Sequence, residues 1–125
     1  MERTVAVRGP RPADDVWDRY LRPRRWPEWS PQISSVSYPH ETLVAGTTGV
    51  VHGPLGVRVP FRVLSVESTG PVRGWSWQVN ALGVGMRLHH TVEPGTRSTL
   101  TIRGLAPAVL LYLPVALLAL RRLVR

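Results

Sequence analysis

GWSWQVNALGVGMRLHHTVEPGTRSTLTIRG, residues 74–104, alternates apolar and polar side chains through three successive runs. In an extended chain, successive side chains point to opposite faces, so the alternation assigns faces directly. Trp75, Trp77 and Val79 share one face, opposite Ser76, Gln78 and Asn80. Val84, Met86, Leu88, His90 and Val92 share another, opposite Arg87, His89, Thr91 and Glu93. Leu100 and Ile102 oppose Thr99, Thr101 and Arg103. Gly83 and Pro94-Gly95 supply the turn chemistry between the runs. The result is an antiparallel meander with one apolar face that needs a cover.

Outward from this core the pattern continues. QISSVSYP, TTGVVHG and GVRVPFRVLSVES read as three earlier strands, with Val57, Val59, Phe61 and Val63 on one face. RTVAVR near the start reads as a first strand. The cover follows the meander: in residues 105–125 the run from Leu105 to Leu120 carries no charge. As a helix, residues 106–125 would span about 30 Å, enough to lie across a curved sheet. Pro107 suits a first turn, while Pro114 is expected to kink the helix or end a segment. Between the first strand and the meander, RPADDVWDRYLRP spaces Val16, Trp17, Tyr20 and Leu21 as a short helix that ends at Pro23. RRWPEWSP, residues 24–31, then forms a second short helix or turn.

Composition bounds the function. The 125 residues make one domain, and there is no cysteine, which excludes disulfides and zinc–thiolate sites. A reducing, cytoplasmic compartment fits. The net charge is +8 with every basic residue an arginine, but the arginines are spread along the chain. A solvated basic surface accounts for them, and no specific nucleic-acid binding is expected. No phosphate loop, metal-ligand pattern or assembled triad is present; His89 and His90 point to opposite faces and cannot chelate one ion together. No cofactor and no metal are expected.

Four segments carry a family resemblance: VWDRYLRPRRWPEWSP, LVAGTTGVV, WSWQV, and LHHTVEPGTRSTLTIRG running into the last helix. Together they resemble the START-like superfamily, in particular its polyketide cyclase/dehydrase-like (SRPBCC) branch. The resemblance implies an α+β helix-grip fold: a six- to seven-stranded antiparallel sheet curved around a long C-terminal helix, with two short helices after the first strand. It also implies a cavity between sheet and helix that holds a hydrophobic small molecule or lipid. The alternative is a polyketide cyclase/dehydratase-type enzyme in the same cavity.

The expected ligand-binding residues are Phe61, Trp75, Trp77, Met86, Leu88, His90 and Leu100 from the sheet, Tyr112 from the helix, and Trp29 at the rim. Each large aromatic also has a plain packing role. His90 is the one titratable residue on the apolar face and the sole catalytic candidate, as a general acid/base or an anchor for a ligand carbonyl. Its plainer role is a neutral core histidine satisfied by a neighbouring hydroxyl. Ser98, on the face of Leu100, is a further candidate polar contact. A peripheral contact between the last helix, with its trailing arginines, and anionic membrane is also expected; the uncharged run is short of the ~20 residues needed to span a bilayer.

Overall fold

The computed structural model describes residues 1–125. Seven strands form one antiparallel sheet in the order β1-β7-β6-β5-β4-β3-β2. They are β1 (Glu2–Arg8), β2 (Ser35–Ser37), β3 (Thr48–His52), β4 (Arg58–Glu67), β5 (Arg73–Ala81), β6 (Val84–Glu93) and β7 (Arg97–Gly104). Between β1 and β2 lie α1 (Ala13–Leu21), a 3-10 turn (Pro23–Arg25) and α2 (Trp26–Trp29). The long helix α3 (Ala106–Val124) closes the chain. This is the helix-grip arrangement.

The alternating pattern sets the register. Trp77 faces Leu88 across β5–β6, and Leu88 faces Ile102 across β6–β7, so the apolar positions of three strands fall on one side. Polar and charged side chains take the other face, where Glu93 lies opposite Arg97 and Arg87 opposite Arg103. One shift departs from strict alternation: the β4–β5 register slips between Val63 and Ser65. Such a bulge adds a residue to one strand and re-aims those beyond it. Val66 therefore lies opposite Trp75 on the inner side, although simple alternation from Val63 puts it outside.

Helix α3 covers the inner face. Val109, Ala116, Ala119, Leu120, Leu123 and Val124 are buried, while Leu111, Pro114 and Leu118 face outward. Although α3 is long and apolar enough to cross a membrane, these buried residues make it the core helix of the fold. Pro114 neither ends the helix nor divides it. Its missing N–H leaves a carbonyl free on the solvent side, where water can satisfy it.

The far end of α3 is fastened by the segment after β1. Arg19 of α1 is 6 % exposed and donates to the carbonyls of Arg122 (3.1 Å) and Leu123 (2.8 Å). A cation there satisfies the last unpaired carbonyls and opposes the helix dipole. The Arg11 N–H donates to the Val124 carbonyl at 3.1 Å. A Cβ at Gly9 would stand 2.2 Å from that same carbonyl oxygen, so only glycine permits the approach.

The arginines of RRWPEWSP have an internal role. Arg25 reaches Asp15 (3.0 Å), Asp18 (2.8 Å) and Glu28 (3.2 Å), tying α1 to α2. Its hydrogen bond, followed by that of Arg11, holds Asp15 below the usual carboxylate range. The aspartates of α1 are thus ion-pair partners as well as dipole partners.

Candidate functional site

The two tryptophans of the turn segment point into the molecule. Trp26 is 1 % exposed, stacks on Trp75 (centroids 5.5 Å apart) and meets Trp77 edge-on at 5.1 Å. Phe61 packs edge-on against Trp77 at 5.2 Å. Trp29 does not sit at a rim. It is 6 % exposed, edge-on to Tyr20 at 5.4 Å, with its indole N–H on the Arg19 carbonyl at 3.3 Å. The short α2 turns both indoles under α3, where burial of two large rings outweighs exposure at an opening.

These rings fill the space in which an enclosed cavity was expected. What they leave beneath the second half of α3 is a void of about 20 Å³, bordered by Trp29, Trp75, Trp77, His90, Leu100 and Tyr112. That is room for about one water molecule. Leu88 and Phe61 border neither this void nor the groove described below; both are core.

His90 is held on every side. Its ring lies parallel to that of Trp75, with centroids 4.6 Å apart and 7° between planes. The Trp77 indole N–H donates to Nε2 at 3.1 Å. An indole can only donate, so Nε2 carries no proton and the neutral ring is protonated at Nδ1. Nδ1–H then donates to the Tyr20 hydroxyl at 3.3 Å. The Tyr20 hydroxyl in turn donates to Ser98 Oγ (2.8 Å), and Ser98 donates to the Thr91 carbonyl (3.0 Å). The chain of donors runs from β5 through β6, α1 and β7 and leaves none of its members unpaired. Burial, followed by the nearby His89, lowers the His90 pKa to about 3, and burial raises that of Tyr20. His90 is therefore a neutral core residue with both nitrogens engaged. Ser98 contacts Tyr20 and not an open space.

A larger apolar space lies toward the other end of the sheet. It is an open groove of about 270 Å³ between the inner faces of β3 to β6 and the first half of α3. Val51, Val59, Val79 and Met86 make its walls, and Trp77 and Tyr112 separate it from the small void. Of the expected site residues, Trp77, Met86 and Tyr112 reach this groove. Trp29, Trp75, His90 and Leu100 border only the void.

One polar group on the groove stands out. Gln32 Oε1 is buried without a hydrogen-bond partner. Gln32 and Tyr112 share the lining. Burial raises the Tyr112 phenol above its ordinary pKa, against a smaller opposing effect of hydrogen bonding with Gln32. Nothing in the sequence singled out Gln32, because its place depends on the loop that carries it under α3. Val59 and Val79 were legible as inner-face residues, but not as groove walls.

Comparison with known proteins agrees with this architecture. A family model described as polyketide cyclase/dehydrase and lipid transport matches residues 1–125. A hypothetical protein from Helicobacter pylori superposes with a TM-score of 0.76 at 16% identity, covering 98% of this chain and 84% of that one. The major latex-like protein 151 of Panax ginseng superposes with a TM-score of 0.73 at 14% identity, covering 98% and 93%. A protein from Nitrosospira multiformis gives 0.72 at 14%, covering 99% and 94%. No protein of curated function is significantly similar in sequence. Such low identities speak for the fold alone, but the family model spans the whole chain, and the chain belongs to the polyketide cyclase/dehydrase and lipid-transport family.

Proposed function

We propose that the protein binds a hydrophobic small molecule or lipid in the open groove, with the polar end of the ligand at Gln32 and Tyr112. The observation that carries this reading is the pairing of an apolar groove of about 270 Å³ with a buried, unpaired acceptor, Gln32 Oε1. The volume approaches the ~300–1,000 Å³ typical of small-molecule sites, and a few polar groups in an apolar lining are their usual composition. A buried acceptor without a partner costs about 1–3 kcal/mol, and a turn of the Gln32 side chain toward a ligand hydroxyl in the groove would recover it.

Binding is favoured over the cyclase/dehydratase alternative. Tyr112 is the only titratable residue on the groove, and its raised pKa keeps the phenol protonated. It can donate to a ligand carbonyl or hydroxyl, but it has no acid–base partner on the groove. His90 is locked behind Trp77 with both nitrogens used.

The test has two parts. Mass spectrometry of an organic extract of the purified protein should show a co-purifying lipophilic compound. Titration with N-phenyl-1-naphthylamine should show saturable binding, which Val59→Trp abolishes by filling the groove while the urea midpoint stays near wild type. Binding that is unchanged in Val59→Trp, with wild-type stability, would falsify the groove as the site.

A further inference from the structure

One end of the sheet carries three connections: β3 to β4, β5 to β6, and β7 to α3. The register places them together, with His52 opposite Arg58, Ala81 opposite Val84, and Met86 opposite Gly104. Each connection presents a leucine to solvent. Leu55 is 102% exposed, Leu82 is 87% and Leu105 is 68%. Gly53, Pro54, Val57, Ala81 and Met86 beside them line the groove, so the three leucines ring its mouth.

Two of these leucines break a local rule. Leu55 and Leu82 have φ of 58° and 53°, each followed by a glycine with positive φ. Two-residue turns of this kind ordinarily take Asn or Asp at the first position, because a larger side chain is disfavoured in the left-handed region. A leucine there gains no burial from the fold and meets steric opposition from the backbone. The connections at the opposite end of the sheet carry Ser68, Thr69 and Gly70, or Pro94, Gly95 and Thr96, and expose two valines, Val44 before β3 and Val72 before β5, but no leucine.

Charge is divided the same way. Arg3, Arg58, Arg87 and Arg103 are exposed near the leucine end, against the single carboxylate of Glu2, which pairs with Arg103. The other seven acidic residues lie on α1, on α2, in the loop before β3, or at the far ends of β4 and β6. A second copy of this rim would meet its own arginines, and three separate tips make no flat face for a rigid partner.

From these features we propose that the leucine rim docks end-on to an anionic lipid surface, the leucine tips entering the acyl boundary while the arginines meet the headgroups. The groove mouth then opens against the bilayer. This is the opposite end from the C-terminal arginines, where α3 is fastened to Arg11 and Arg19. The proposal goes beyond ligand binding and does not depend on it.

Co-sedimentation of the full chain with vesicles tests it. Binding is expected to vesicles of phosphatidylcholine mixed with phosphatidylglycerol and not to phosphatidylcholine alone. The double variant Leu55→Asn/Leu82→Asn should lower partitioning at least about tenfold, since each tip withdraws a full leucine side chain. Because Asn suits the left-handed turn, the urea midpoint of that variant should stay the same or rise. Arg58→Glu should weaken binding about fivefold or more, and Arg121→Glu should leave it unchanged. Equal binding to neutral and anionic vesicles, no binding to either, or unchanged binding by the double variant overturns the proposal. So does loss of binding in Arg121→Glu, or dissociation of a wild-type dimer by the double variant in sedimentation velocity. N-phenyl-1-naphthylamine binding without vesicles should persist in the double variant; its loss would make the leucines groove residues and overturn the docking role. Failure of the groove itself shows separately, in Val59→Trp.

Discussion

Acidification should destabilise the protein through His90, and replacing that residue should remove the effect. In the unfolded chain a histidine titrates near 6.5, whereas the buried His90 is lowered to about 3. Above pH 6.5 both states are neutral at this site and it contributes nothing to the pH dependence. Between 6.5 and 3 the unfolded state binds a proton that the native state refuses, so stability falls as pH falls. Each pH unit is worth about 1.36 kcal/mol, which makes the loss at pH 5 about 2 kcal/mol. Against a total stability of about 5–15 kcal/mol this is a large fraction. With a urea m-value of about 1–3 kcal/mol/M, the midpoint should drop by roughly 1 M.

Urea unfolding at pH 7 and pH 5, followed by tryptophan fluorescence, measures it. Four of the five tryptophans, Trp26, Trp29, Trp75 and Trp77, lie in or beside the aromatic cluster. His90→Gln can still accept from the Trp77 indole and donate to Tyr20, but it does not titrate. It loses the stacked contact with Trp75, worth about 0.5–1.5 kcal/mol, so the variant starts lower at pH 7. Its midpoint should then change between pH 7 and 5 by about 2 kcal/mol less than that of the wild type. The comparison of slopes is insensitive to the lower starting point. Equal pH dependence in the two proteins would refute the buried neutral histidine and reopen His90 as a solvent-accessible acid–base group.

Two further outcomes are expected. Deleting residues 105–125 removes six buried side chains of α3 and uncovers the inner face, so the truncated chain should aggregate or bind 1-anilinonaphthalene-8-sulfonate strongly; a soluble, cooperatively folding product would count against α3 as the cover. Binding to duplex DNA should be weak, independent of sequence and lost as salt rises, because Arg25 and Arg19 are committed inside the fold; tight sequence-selective binding in a filter assay at physiological salt would show otherwise.

The face assignments, the seven strands and the covering helix were legible in the sequence because strand periodicity is local. A period of two, read over residues 74–104, fixes which side chains share a side without knowledge of any partner. The same locality hides the β4 bulge that turns Val66 inward: a bulge is a mismatch between two strands and leaves no mark in the periodicity of either one. The size of the interior was decided only in three dimensions. Trp26, Phe61, Trp75 and Trp77 come from three places in the chain, α2, β4 and β5, and their converging rings leave a void of about 20 Å³ beneath the second half of α3, where the shared apolar face suggested a chamber. The proton arrangement of His90 belongs to the same class, since it depends on Tyr20, seventy positions away, and on an indole that can only donate. Periodicity tells which way a side chain points, but volume and hydrogen-bond satisfaction depend on what meets it there, and distant segments supply that only when the chain has folded.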